Sequence, residues 1–145
     1  MSKITLYHGT PLKVNALSII DKGLDPKGEI YIGITSTGER GISIEHKSFL
    51  SNEMWQAIKQ SFVQPKSFSV DWEEFRDNEP FGYLFLFEID ENVGDGKKDL
   101  REVKENIYPV KAYKMHKPEE KFLKTKEEYL KWFKKNAVPI KLKTS

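Results

Sequence analysis

The stretch YLFLFEID, residues 83–90, constrains this chain more than any other feature. Its apolar residues do not alternate with polar ones as a half-solvated strand would require, and the run is too short for an average helix. A run of this kind bounded by turn residues reads as a strand buried on both faces at the centre of a sheet. Gly94, Asp95 and Gly96 then end it. A chain built around such a strand must pair it on both edges and cover it on both faces.

The other segments are candidates for that cover. Lys3 to Tyr7 alternates and is rich in β-formers, so it predicts a strand that delivers His8 at its end, before Pro11. In NALSIIDKGLDP, Ala16, Leu17, Ile19, Ile20 and Leu24 fit one face of a short helix, with Asn15 as N-cap, Gly23 as the stop and Pro26 beyond. Glu29 to Thr35 predicts a second short strand, and STGERG after it a loop. From Ser43 to Phe62 the spacing of Ile44, Phe49, Leu50, Met54, Trp55, Ile58 and Phe62 predicts a helix, re-started at Ser51, that backs the sheet. PKSFSVDWEEFRDNEPFG, with proline near both ends, reads as an irregular connection. LREVKENIYPVKAYKM gives two extended pieces split at Tyr108-Pro109. Thr125 and Glu128 form a capping box ahead of Tyr129, Leu130, Trp132 and Phe133, and VPIKLK closes as a strand. The expected class is α+β, in one domain spanning 1–145.

Composition removes several function classes. At 145 residues, with 38% hydrophobic and 12% aromatic content, the chain carries too much large apolar side chain for a disordered tail. No apolar run approaches the roughly 18 residues of a membrane span, and the first residues do not read as a signal peptide, so the expectation is a cytoplasmic monomer without membrane contact. Zero cysteine excludes thiolate nucleophiles, disulfide scaffolds and cysteine-ligated zinc. The net charge of +2 is uneven: residues 114–145 hold ten Lys against four Glu, leaving −4 for the rest. Such a segment either touches a polyanion or is a solvated face whose lysines pair with Glu119, Glu120, Glu127 and Glu128 at helical spacings.

The chain has no P-loop, no GxSxG elbow and no HExxH, and its three His are not at metal-ligand spacing. What remains is the head of the chain: a strand ending in Tyr-His-Gly-Thr at 7–10, a Lys-Gly-Leu turn at 22–24, and EIYIG at 29–33. Taken alone, His8 reads as a strand-end histidine with a satisfied hydrogen bond.

In combination these segments resemble the ADP-ribosyltransferase superfamily, in its diphtheria-toxin-like and poly(ADP-ribose)-polymerase-like branch with a His, Tyr, Glu triad. The resemblance covers Leu6 to Gly33 and the rest by pattern only. It implies two small, curved antiparallel sheets around an NAD cleft, flanked by helices, and NAD as substrate rather than resident cofactor. His8 would hold the nicotinamide ribose, the Gly9 backbone the carboxamide, and Thr10 the same pocket, while Tyr31 would stack on nicotinamide. The TSTGERG segment after it is either an ordinary turn or a loop in which Ser36 meets the ribose or phosphate and Arg40 pairs with the pyrophosphate. The triad's glutamate would be Glu102, with Glu105 as the fallback.

The chemistry is consistent with these residue types. Cleaving the nicotinamide–ribose bond builds positive charge on the ribose, which a carboxylate stabilises more in the transition state than in the ground state. An aromatic face and backbone amides hold the leaving ring, and no metal or covalent nucleophile is required. Arginine-modifying members carry a second Glu or Gln two residues before the catalytic Glu. Here that place holds Leu100, or Val103 if Glu105 is the catalyst, so the implied acceptor is not arginine. No clear second tyrosine sandwiches nicotinamide; Phe49 and Trp55 are the candidates. The resulting expectation is a mono-ADP-ribosyltransferase, a glycosyltransferase acting on a protein or nucleic-acid acceptor. One alternative is an NAD-dependent RNA 2′-phosphotransferase, disfavoured by only three Arg and no His in EIYIGIT. A second is a non-catalytic module that binds NAD or nucleic acid.

Overall fold

A computed structural model describes residues 3–24, 28–34, 40–44, 49–51, 53–90, 100–103 and 106–142. The strand expected at the centre is there. It is β5 (Phe81–Asp90), and it pairs antiparallel with β1 (Lys3–Thr10) from Lys3↔Asp90 to Thr10↔Tyr83. Its other neighbour is β7 (Lys111–His116), from Phe81↔His116 to Leu86↔Lys111. The remaining strands are β2 (Gly28–Ile34), β3 (Arg40–Ile44), β4 (Phe49–Ser51), β6 (Leu100–Val103) and β8 (Val138–Ile140). They extend the sheet to the order β6-β2-β3-β4-β1-β5-β7-β8. Four helices accompany it among the described residues: α1 (Lys13–Lys22), α2 (Met54–Gln60), α3 (Trp72–Asn78) and α4 (Lys126–Asn136).

The alternation of β5 explains its unbroken apolar run. Tyr83, Phe85, Phe87 and Ile89 face a core shared with Leu6 of β1, Ala112 of β7, and Ala16 and Ile19 of α1. Leu84 faces the opposite core, with Ala57 and Ile58 of α2, Phe62, Met115 of β7 and Tyr129 of α4. Both faces are covered from Tyr83 to Phe87, so neither has room there for a polar register, and the polar Glu88 beyond them is exposed. The second face depends on two glycines. A Cβ on Gly9 would lie 1.8 Å from the Ala57 carbonyl oxygen, and one on Gly82 2.5 Å from that of Ser61. The C-terminal end of α2 therefore rests directly on the backbone of β1 and β5.

The structure is α+β, but its strands form one hydrogen-bonded sheet of eight rather than the two sheets that the resemblance implies. The link between its halves is thin: among the described residues, β1 meets β4 at the register pair Tyr7↔Ser51. Other expectations change as well. Among the described residues, the helix expected over 43–62 is helical only at α2, because Ile44, Phe49 and Leu50 belong to β3 and β4. Arg40 and Gly41, expected in a loop, open β3 opposite Ile34 and Gly33. The supposed irregular connection contains α3, capped by Asp71, whose carboxylate accepts from the Glu74 amide at 2.8 Å. The N-cap of α1 is Leu12, not Asn15, and Leu17, expected on the apolar face, is 54% exposed. Thr125 caps α4, its hydroxyl accepting from the Glu128 amide at 3.1 Å, but the Glu128 carboxylate accepts from the Lys124 amide at 2.9 Å, one residue before the partner that a capping box would give it. None of the described helices is long and apolar enough to cross a membrane.

Candidate functional site

Two of the expected triad positions lie on one ladder. β2 pairs antiparallel with β6, with Tyr31 opposite Leu100 and Glu29 opposite Glu102. Glu102 is thus two residues along β6 from the ladder partner of Tyr31. The same register sets a second glutamate position, Glu29, opposite Glu102, which sequence spacing did not reveal. Ser36 and Glu105 lie outside the described residues.

His8 is elsewhere in the sheet. It pairs with Phe85 on β5, and the strand order puts β4 and β3 between its strand and that of Tyr31. The row of paired positions Tyr7, Ser51, Gly41 and Gly33 crosses the sheet from β1 to β2. His8 is one residue from that row and Tyr31 is two. His8 is also buried, 3% exposed, as are Leu6 and Thr10 beside it. The Thr10 hydroxyl accepts from the Leu12 amide at 3.4 Å, a local turn contact. The glycine of YHGT has a packing role of its own, because α2 sits where its side chain would be. Of the two candidates for the second stacking ring, Phe49 lies on β4, and Trp55 packs from α2 against Tyr129, with ring centroids 6.4 Å apart.

The Lys-Gly-Leu turn is tied to the segment that follows β6. Gly23 has φ 76°, a left-handed conformation suited to glycine, and its amide caps α1 by donating to the Ile19 carbonyl at 2.9 Å. Leu24 and Ile107 exchange backbone hydrogen bonds of 2.7 and 2.8 Å, and Asn106 Nδ2 donates to the Lys22 carbonyl at 2.6 Å. The end of α1 and the chain just beyond the glutamate-bearing strand are therefore held together.

A second fastening holds the residues after YHGT, and nothing in the sequence points to it. Lys117, at the end of β7, is 4% exposed. Its Nζ donates to the Pro11 carbonyl at 2.7 Å and to the Glu79 carbonyl, and lies 4.4 Å from the centre of the Phe75 ring. The Glu79 carboxylate accepts from the Lys13 amide at 3.2 Å, so the first turn of α1 receives an anionic partner from the end of α3. Burial lowers the Lys117 pKa to about 8, and the attraction of Glu79 opposes this without reversing it. Burial, with Glu79 adding to it, raises that of Tyr83.

Comparison with known proteins gives no relative: no protein-family model, no curated protein and no solved structure matches the chain.

Proposed function

We propose that this chain is an NAD-dependent mono-ADP-ribosyltransferase that cleaves the nicotinamide–ribose bond and transfers ADP-ribose to an acceptor other than arginine. The observation that carries the reading is the β2–β6 ladder, in which the strand of Tyr31 lies beside that of Glu102. An aromatic and a carboxylate on adjacent strands are what the reaction needs, a face for the leaving ring and a negative charge for the ribose cation. In this reading NAD enters at the β2–β6 half, where Tyr31 and Glu102 meet the leaving ring and the ribose. Ser36 and Arg40 are the further contacts proposed for the ribose and pyrophosphate.

A non-catalytic NAD or nucleic-acid binding module is the second reading, favoured by the burial of His8. Incubation with labelled NAD and cell lysate separates the two. A transferase leaves label on material that a protease or a nuclease then releases, and agmatine stays unlabelled. Wild-type protein that binds NAD but labels no fraction favours the module, and efficient labelling of agmatine overturns the acceptor assignment.

A further inference from the structure

We propose that the sheet edge formed by β7 and β8, together with the last turns of α4, is a docking surface for the phosphate backbone of a nucleic-acid strand. The first observation is a gap in the sequence: residues 106–118 and 129–145 contain no Asp or Glu, yet they hold eight Lys. The topology then brings these two segments together, because β8 is the neighbour of β7 and the outermost strand on that side. Their register runs Lys114↔Val138, Tyr113↔Pro139 and Ala112↔Ile140, so the next positions along it are Lys111 and Lys141. At the other end of β8, α4 stops at Asn136, which sets Lys134 and Lys135 just before Val138. Two pairs of lysines therefore flank a strand roughly 10 Å long.

These cations are available. Lys111, Lys131, Lys134, Lys135 and Lys141 are exposed, and among the described residues none of them makes an ion pair. The intrahelical pairing that would make α4 a neutralised face is absent there; its ion pair runs from Lys126 to Glu53 on another element, at 3.5 Å. Pro139 and the flanking lysines protect the β8 edge against pairing with a further strand, which disfavours a second copy of the chain as occupant. A row of cations along an edge suits a linear polyanion better than the plane of an anionic membrane. Tyr108, 52% exposed three residues before Lys111, adds a ring on which a base can stack.

If this strand is the acceptor, that role rests on the transferase reading. The surface does not, and its assay contains no NAD. Fluorescence anisotropy of a labelled single strand of about 20 nucleotides, DNA or RNA, is titrated with the full chain. If four lysines neutralise phosphates, affinity falls about 50-fold between about 50 and about 200 mM salt. In K134Q/K135Q the salt dependence drops by about half and binding at low salt weakens, with circular dichroism unchanged because both side chains are exposed. K121Q/K124Q, away from this edge, binds like wild type. No binding at low salt, a salt-indifferent affinity, equal binding by K134Q/K135Q, or stronger retention on phosphatidylglycerol vesicles than on the strand overturns the proposal. Failure of NAD binding in a separate titration bears only on the transferase reading.

Discussion

Lys117 makes stability depend on pH in an unusual direction. Its ammonium is buried against the Pro11 and Glu79 carbonyls and the Phe75 ring, and desolvation takes its pKa from 10.5 to about 8. A lysine whose pKa is lowered by folding binds fewer protons in the folded chain than in the unfolded one between those two values. Stability therefore rises with pH across that window instead of falling. Between about pH 7 and about pH 9.5 the gain is about 2 kcal/mol for a folded value of about 8. The neutral amine still carries two N–H groups, so both carbonyls keep their donor as the charge leaves. Tyr83 and Tyr129 act in the opposite sense, since their raised pKa values give stability that is lost only as pH climbs above the ordinary tyrosine value of 10.0.

Lys117→Met keeps the length of the stem and deletes the titrating group. Near neutral pH the substitution takes the donor from two part-buried carbonyls, each costing at most about 1–3 kcal/mol, and also relieves the burial of a charge, so two terms oppose each other. The slope with pH is the clean readout. Urea unfolding followed by tryptophan fluorescence at several pH values up to about 9.5 should give a rising midpoint for wild type and a flat one for the variant. A wild-type midpoint that is flat or falls over this range, or a variant that keeps the rise, refutes the reasoning.

Gly9→Ala forces α2 off the sheet, because the new methyl would meet the Ala57 carbonyl at 1.8 Å; the expected loss is about 3 kcal/mol, and an unchanged melting temperature would contradict the packing account. Asn106→Ala removes the amide bond to the Lys22 carbonyl and should cost about 1 kcal/mol, read by chemical denaturation; no loss would mean that this cap of α1 is idle. Tyr31→Ala should weaken NAD binding by about 1 kcal/mol, or about fivefold in Kd by calorimetry, with Tyr31→Phe mild; equal affinity in Tyr31→Ala removes Tyr31 from the site.

The elements legible from sequence are those whose local signal and tertiary role agree. The β5 run needs two covered faces and has them, and Gly23 and Thr125 cap helices as their chemistry suggests. The misreadings come from short elements. β4 has three residues, too few to display a period of two, and Ile44 is the last residue of β3, so Ile44, Phe49 and Leu50 fit the spacing of a helical stripe. α3 was hidden between prolines although Asp71 and Glu74 carry an N-terminal capping pattern. At the candidate site, the strands of Tyr31 and Glu102 were identified as extended, but their adjacency depends on long-range pairing that no local pattern encodes. Nor could spacing foresee a buried His8, or a lysine 106 residues from Pro11 that fastens the chain after YHGT.

The central claim is that the chain breaks the nicotinamide–ribose bond using a carboxylate on β6. Nicotinamide released from NAD in the presence of cell lysate, measured for wild type and for Glu102→Gln beside their NAD affinities, tests it most directly. The account predicts release by wild type, a fall of roughly 100-fold in the variant, and affinities within a few fold of each other. No release by wild type, or equal release by wild type and Glu102→Gln, would contradict it.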